Sequence, residues 1–356
     1  MQAEPSGENT VNASPGEKES YGRLRRLASL LFGLFLACFA RDVRAEEGKP
    51  NWGRGPFEIS DQFPFAVPHL SFISESPEVA GAGITKARSN FLWSNTHDRV
   101  SGFFEVDAEV RTLELSLAHG VSETTELKLH VPLVWEGGGV LDSFIFGWHD
   151  FFNLPQGPRN EPGVEDDRYE VFGRTSGSRA ARFKDEGVRF GNTVLQGKHL
   201  FTAGSEITPA VSGEVSLALP TGYGDYGQNL FDAGASLYSA KRWDSWILYG
   251  GAGYLFYGDP AEEGLRYKRH RGAGFMAVEY EALSFLSVIF TFQAATNYID
   301  NVPRFPDYET YLDFGLKTDI TKNCVIEGAV RENPEPDQGT TDITFYLALQ
   351  KRFGAE

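Results

Sequence analysis

Three polar side chains are spaced in a way that could support acid/base chemistry. Asp142 and His149 are seven residues apart in a stretch with helical periodicity, and Arg159 follows after a turn rich in proline and glycine. Residues seven apart share one side of a helix, so this carboxylate and imidazole could exchange a proton with a substrate. Two other roles are open. The triplet could cap and anchor the helix, or the loop that holds it could fold inward as a plug or constriction.

The helix itself is predicted from an apolar stripe with spacing i, i+3, i+4, i+7 and i+11, which gives one apolar face. The stripe consists of Leu141, Phe144, Ile145, Trp148 and Phe152. It lies in Trp135–Gly187, a connection of 53 residues. Connections of this length are usually functional or disordered, so we expect this one to matter for function.

The connections in the last three-quarters of the chain alternate between short and long. From residue 84 onward we count twelve strand-like runs of about 9–17 residues. The short connections, of three to five residues, are His119–Glu123, Ala203–Ser205, Arg242–Asp244, Glu281–Leu283 and Ile320–Lys322. The interleaved ones are mostly ten residues or longer. This alternation is typical of outer-membrane barrels, and it predicts a transmembrane antiparallel β-barrel of about 12 strands over residues 84–353, with loop 135–187 extracellular.

Apolar and polar residues alternate along these runs, as Val215 and Leu217 do with Glu214 and Ser216. Alternate side chains of a strand point to opposite faces, so one face is apolar and the other polar. Charges of both signs on the polar face fit a wet lumen better than a dry core. We therefore predict that ten charged residues line the lumen, where they could form a salt-bridge network that holds the shape of the wall or a charged constriction that selects solutes. They are Lys86, Arg88, Glu109, Arg111, Glu126, Lys128, Glu214, Asp313, Lys317 and Glu327.

The second run changes its pattern part of the way along. Glu109 and Arg111 lie on one face of the run, yet Leu113 and the alternate leucines after it fall on that same face. A single bulge near Arg111–Leu113 would restore one apolar face. With a hairpin turn around His97–Val100, Arg88 would then lie near Glu109 on the lumen face.

Residues 1–45 have the features of an N-terminal extension followed by a signal peptide. Basic residues precede the 14-residue apolar run Leu27–Ala40, and Val43–Ala45 offers a cleavage site. The alternative is a lipoprotein signal in which Cys38 becomes lipidated. The chain has two cysteines, and cleavage after Ala45 leaves Cys324 alone. A disulfide framework and a cysteine-cluster metal site are therefore excluded within one mature chain.

Residues 46–83 precede the barrel and are predicted to form a plug in the lumen or to lie against the periplasmic rim. Their prolines forbid a central strand or a helix. Within them, His69 and Ser71 resemble the His-x-Ser pair of outer-membrane phospholipases. That pair belongs on a lipid-facing barrel strand with an asparagine partner, and neither condition is met here.

Charge and residue spacing argue against binding of nucleic acid and of metal ions. The 33 basic and 49 acidic residues give a formal charge of −16, which argues against nucleic-acid binding. The long loop carries four further carboxylates, but not at a recognised metal-ligand spacing. These are Glu161, Glu165, Asp166 and Asp167. We predict no metal and no cofactor.

Three elements together resemble a known bacterial family. They are the string GG-x-LD-x-FI-x-x-x-H-x-x-F-x-LP-x-G-x-R from Gly138 to Arg159, the stretch Pro64–Phe72, and Leu219–Gly222. The chain is similar in these elements, over about residues 55–353, to the family called domain of unknown function 3187. The resemblance implies an outer-membrane barrel and implies no activity. It marks Asp142, His149 and Arg159 as family-like polar residues.

The function predicted from these observations is passive passage of small solutes through the outer membrane of a Gram-negative bacterium. The identity of the solute is left open. The expected partners are outer-membrane lipid, lipopolysaccharide and the barrel assembly machinery. Two alternatives remain: an enzyme that modifies lipid or lipopolysaccharide, and a structural or adhesive barrel. Enzymatic activity is not favoured, and no catalytic residue is assigned.

Overall fold

The computed structural model describes residues 52–100, 103–152, 168–174, 180–183, 187–222, 230–258, 261–262, 265–302, 305–334 and 339–354. The predicted signal peptide and Arg159 lie outside these residues. In the described ranges, no helix combines the length and apolar character that a membrane-crossing helix requires.

Twelve long strands make up the wall of the molecule, and each has 9–19 residues. They are β1 (Thr85–Val100), β2 (Phe104–Ser122), β3 (Thr125–Gly137), β7 (Thr193–Thr202), β8 (Ala210–Leu219), β9 (Asp232–Trp243), β10 (Trp246–Phe256), β13 (His270–Leu283), β14 (Leu286–Thr296), β15 (Tyr308–Thr321), β16 (Cys324–Glu332) and β17 (Ile343–Phe353). Even the shortest is long enough to cross a bilayer at a tilt.

Five short strands and one helix complete the described elements. The strands are β4 (Glu170–Arg174), β5 (Ala180–Phe183), β6 (Gly187–Phe190), β11 (Ala261–Glu262) and β12 (Leu265–Arg266), and the helix is α1 (Asp142–Phe152). β4 pairs with the start of β2, and β6 continues the line of β7 along β3. The helix predicted from the apolar stripe is confirmed.

The long strands close into a ring. Each pairs antiparallel with its neighbour in the chain, and β17 pairs with β1, from Thr85 opposite Phe353 to Asn95 opposite Ile343. The predicted closed antiparallel barrel of twelve strands is confirmed. Closure removes free sheet edges, which a bilayer cannot tolerate because unpaired backbone groups find no water there.

Connection length differs between the two ends of the barrel. At one end, which we call the short-turn end, two residues join β2 to β3, β9 to β10, β13 to β14 and β15 to β16. At the other, the long-loop end, most connections have ten residues or more, but only three residues join β1 to β2. That first hairpin turns after Val100 and not around His97–Val100 as predicted, because both strands continue past the end of the adjacent wall.

The outer face of the barrel is apolar. Leu117, Leu129, Leu217, Phe314 and Leu347 are each 38–59% exposed and share the outward parity of their strands. The intervening residues point inward and are mostly buried. Period-two alternation thus produces a lipid-compatible surface and a polar inner wall, as in transmembrane barrels generally.

The interior is filled by residues 52–83, which contain no helix or strand and which we call the lumen segment. It starts near the short-turn end, where Arg54 bonds Ser284 and Asp319. It runs to the long-loop end, where Phe63 packs against Phe104. A turn over residues 63–69 reverses its direction, and residues 70–80 return toward the short-turn end.

Candidate functional site

Eight of the ten charged residues predicted to face the lumen lie on the inner wall: Lys86, Arg88, Glu126, Lys128, Glu214, Asp313, Lys317 and Glu327. The strand register establishes this placement. Glu126 and Lys128 alternate with Leu127 and Leu129, which are 56% and 41% exposed on the outer face. The role of these residues in selecting solutes stays a prediction.

The placement of Glu109 and Arg111 in the lumen is wrong. Pairing of β1 with β2 is continuous from Thr85 opposite His119 to Val100 opposite Phe104, so the predicted bulge does not exist. Glu109 and Arg111 therefore keep the outward parity of Leu115, and Arg88 lies opposite Ser116 instead of near Glu109. The sequence pattern was misleading because at this height the outer face is covered by protein and not by lipid.

Glu109 is buried against the outside of the wall, where it holds the start of helix α1. Its carboxylate accepts hydrogen bonds from the backbone amides of Val140 and Leu141, from Nε1 of Trp93 at 2.7 Å and from Arg111 at 2.9 Å. A carboxylate at a helix N-terminus satisfies free amides and matches the helix dipole. The guanidinium of Arg111 also lies over the rings of Trp93 and Trp135, at 4.9 and 4.1 Å.

The helix packs on the outer surface of the barrel. Leu141 and Ile145 of the helix are buried against Ile343 and the partly buried Phe345. Ile343 and Phe345 lie on the outward face of β17. The alternative in which the loop folds inward as a plug or constriction is therefore wrong for this helix. Asp142 accepts a hydrogen bond from Nδ2 of Asn95 at 3.0 Å, which anchors the first turn. His149 lies in the helix, but its side chain, like Arg159, is outside the described part, so the polar cluster of these two residues with Asp142 stays a prediction.

The lumen segment is bonded to the inner wall by buried ion pairs along its length. One cluster joins Glu75 to two lysines: Nζ of Lys198 lies 2.8 Å from Oε2 of Glu75, and Nζ of Lys128 contacts Oε1. Burial alone would raise the pKa of Glu75, but the two ammonium groups outweigh it and lower the pKa well below its usual range. Glu75 is therefore a carboxylate held by two opposite charges.

A second cluster lies closer to β17. Arg88 reaches Glu327 at 2.7 Å and Glu58 of the lumen segment at 3.5 Å. Lys317 contacts Glu327 at 3.0 Å and donates to the backbone oxygens of Arg54 and Pro56 at 3.2 and 2.9 Å. Predicted inner-wall charges thus bind the lumen segment itself.

A third cluster lies toward the long-loop end. Arg271 pairs with Glu309 and with Asp61 of the lumen segment, the latter at 3.3 Å. Arg331 forms a two-pronged pair with Asp313, at 2.6 and 3.0 Å, and also donates to the backbone oxygen of Ile59 at 3.3 Å. Such planar, charge-assisted pairs are strong and directional.

At the turn of the lumen segment, His69 is enclosed by aromatic rings. Its ring lies 4.4 Å from that of Tyr257 and 4.2 Å from that of Tyr267, and its Nδ1 is 3.3 Å from Asp232. Ser71 instead accepts a hydrogen bond from the amide of Asp61 at 3.3 Å. The His-x-Ser pair therefore lies in the lumen and does not face lipid.

Two of the cavities that the described residues enclose lie between the lumen segment and the wall. The long-loop cavity, of about 70 Å³, is lined partly by Val67, Leu70, Glu114, His130 and Gln196. The short-turn cavity, of about 400 Å³, is lined largely by charged side chains, among them Arg54, Glu75, Lys86, Lys198 and Arg352. In the described ranges, no group of three or more His, Cys, Asp or Glu residues could hold a metal ion.

Several residues of this interior were missed by sequence reasoning. Lys198 and Arg271 share the inward parity of their strands, so the alternation that identified Lys128 could also have identified them. Glu75 and Asp61 had no such signal. The lumen segment has no regular period, so nothing local indicates which of its carboxylates meets the wall.

Comparison with solved structures gives outer-membrane channel barrels. The COG4313 outer membrane channel from Pseudomonas putida F1 matches with a TM-score of 0.54 at 14% identity, covering 78% of this chain and 97% of that one. The NanC porin matches with a TM-score of 0.43 at 7% identity, covering 75% and 98%. The Pseudomonas putida toluene transporter TodX matches with a TM-score of 0.38 at 10% identity, covering 77% and 91%.

The first of these similarities supports the fold of an outer-membrane barrel. A comparison with curated protein sequences gives no match. A family model described as "Protein of unknown function (DUF3187)" matches residues 36–353. Since this match covers most of the sequence, including all twelve strands of the barrel, the chain belongs to the DUF3187 family.

Proposed function

We propose that this protein is a passive channel for small solutes in the outer membrane of a Gram-negative bacterium. In this orientation the short turns face the periplasm and the long loops face outward, as in other barrels of this kind. Outer-membrane lipid surrounds the apolar outer face, lipopolysaccharide meets the long-loop end, and the assembly machinery recognises the last strand near Phe353.

The observation that carries the proposal is the chemistry of the interior. The lumen segment is held to the wall by at least three clusters of ion pairs, which include Glu75 with Lys198 and Asp61 with Arg271. A barrel built only for stability would be filled more effectively by apolar side chains, because burying charges costs desolvation free energy. A charged interior next to a cavity of about 400 Å³ suits the passage of hydrated, polar solutes.

The size of the barrel limits what can pass. Twelve strands enclose a narrow lumen, and the lumen segment occupies much of it. Passage therefore requires the segment to shift within the lumen or to leave it. Only small solutes fit either route, and the segment controls the rate.

Single-channel conductance in planar bilayers tests this function. Three forms are compared: the complete protein, a variant lacking residues 52–80, and a control in which helix α1 is replaced by a flexible Gly-Ser linker. We expect the deletion to raise conductance several-fold. The control should conduct like the complete protein, because α1 lies outside the wall.

Folding of each form is checked by its change in gel mobility on boiling. A deletion variant that keeps this change but conducts no ions would contradict the channel function. Equal conductance for the complete protein and the deletion variant would instead show that the lumen segment does not control the passage of ions.

A further inference from the structure

Two lysines of the wall converge on one carboxylate of the lumen segment. Lys128 lies on β3 and Lys198 on β7, two neighbouring paired strands. Each takes one oxygen of Glu75, and the three side chains are only 4–10% exposed. The pair of ammonium groups therefore forms a pocket for a single carboxylate.

The lysines lie on hydrogen-bonded strands of the wall, whereas the carboxylate lies on the lumen segment, which contains no helix or strand. Lys198 is opposite Glu126 on β3 and opposite Glu214 on β8, and its Nζ lies 5.0 Å from the ring of Tyr238. These contacts keep it in place whether or not Glu75 is present. Glu75 lies on a stretch without helix or strand, so it is the partner that can leave.

The contacts of the neighbouring carboxylates indicate what would replace it. Glu126 and Glu214 are the two other carboxylates of the wall close to the lysines, and each has a contact of its own. Glu126 is paired with Lys86 at 3.1 Å, and Glu214 accepts from Gln196 at 2.8 Å. Withdrawal of Glu75 leaves the ammonium groups of Lys128 and Lys198 without the carboxylate that contacts both, and the carboxylate of a small solute can restore the same two contacts.

This cluster also separates the two cavities. The long-loop cavity is lined at one end by His130 and Gln196. His130 is two residues from Lys128 on β3, and Gln196 is two residues from Lys198 on β7. The short-turn cavity includes both Glu75 and Lys198. A solute that moves along this side of the wall must pass the two ammonium groups.

We propose that Lys128 and Lys198 form a binding site for the carboxylate of a small monoanionic solute, and that Glu75 occupies this site when the channel is closed. The inference rests on the proposed channel function and adds its substrate class. A solute carboxylate takes over the two ammonium groups, and Glu75 moves away with its part of the lumen segment. The wall keeps its charge balance throughout, because one carboxylate replaces another.

Reversal potentials in planar bilayers test this site. The complete protein, Glu75→Gln and Glu78→Gln are measured under tenfold gradients of potassium chloride and of potassium acetate. Glu78 is the matched control, since it is a carboxylate of the same segment that pairs with Arg352 and not with the lysines. We expect Glu75→Gln to raise conductance at least threefold and to shift the reversal potential toward anions, and Glu78→Gln to change neither.

A second pair of variants attributes the effect to the lysines. In Glu75→Gln, acetate should block part of the chloride current, because its carboxylate occupies the two lysines. Adding Lys128→Met or Lys198→Met should remove both this block and the anion preference. A preference for chloride without acetate block would show a general electrostatic effect and would overturn the carboxylate site. So would equal reversal potentials for Glu75→Gln and Glu78→Gln.

The deletion of residues 52–80 separates this inference from the channel function. If the deletion variant conducts but Glu75→Gln behaves like the complete protein, the carboxylate site is wrong and the channel function stands. If the folded deletion variant does not conduct, both are wrong.

Discussion

Gly139 lies so close to the side chain of Glu109 that position 139 has no room for a larger residue. A Cβ atom built on Gly139 would be 1.8 Å from the carboxyl carbon of Glu109, and the φ angle of Gly139 is +75°. Both facts require glycine, since L residues with side chains rarely adopt that φ angle. The glycine brings the amides of Val140 and Leu141 onto the carboxylate and so fixes helix α1 to the outside of the barrel.

The first prediction concerns this attachment. Gly139→Ala should weaken docking of α1 by at least the backbone cost, about 1–3 kcal/mol, because the new methyl group displaces the Glu109 carboxylate. Limited proteolysis of the folded protein measures this as faster cleavage within residues 138–152.

Gly147→Ala is the matched control. Gly147 is also in this helix, but a Cβ atom there meets nothing within 4 Å. This change should leave cleavage unchanged or slow it, because alanine favours a helix by about 0.5–1 kcal/mol over glycine. Equal cleavage rates for the two variants would show that Glu109 does not hold the helix.

The second prediction concerns Arg331 and Asp313, whose side chains are 1% and 0% exposed. Asp313→Leu should lower the free energy of unfolding by about 3–5 kcal/mol, because it leaves a buried guanidinium without its carboxylate. The double variant Asp313→Leu/Arg331→Met should recover most of this loss, since no unpaired charge remains. Urea unfolding in lipid vesicles, followed by tryptophan fluorescence, measures the free energy of unfolding of the complete protein, both single variants and the double variant. Additive losses would show that the two residues do not interact energetically.

The third prediction concerns pH and the lumen segment. The pKa of Glu75 is lowered from 4.5 when the segment is in place, so the carboxylate binds protons more readily when it has left the lysines. Its contribution to docking is therefore complete above about pH 4.5 and decreases as the pH falls below that value, by up to about 1.4 kcal/mol per pH unit. The groups that face it are Lys128, Lys198, Glu126, Glu214 and Tyr238.

Conductance measured from pH 7 to pH 3 checks this dependence. The conductance of the complete protein should rise below about pH 4.5, while that of Glu75→Gln should lack this component. The difference between the two isolates the contribution of Glu75, because every other residue of the segment is the same in both proteins. Parallel pH profiles would exclude Glu75 as the group responsible.

Much of the site could be predicted where the signal is local. Lys128 was identified because it alternates with exposed leucines, and the same rule applied to β7 leads to Lys198. The rule failed for Glu109, where a neighbouring loop covers the outer face and makes a buried carboxylate acceptable. Glu75, the partner of Lys128 and Lys198, could not be found in this way, because the segment around it has no regular alternation of apolar and polar residues.

The sequence by itself determined the barrel. Alternation along each strand, and alternation of connection length between strands, depend only on neighbouring residues, because a bilayer imposes the same requirement on every strand. Tertiary structure alone decided what fills the lumen and what covers the wall. Glu75 and Lys198 are 123 residues apart in the chain, and a contact across that distance depends on how the closed ring brings the strands around the segment. Alternation places Lys198 on the inner wall, but no local pattern indicates that Glu75 is its partner.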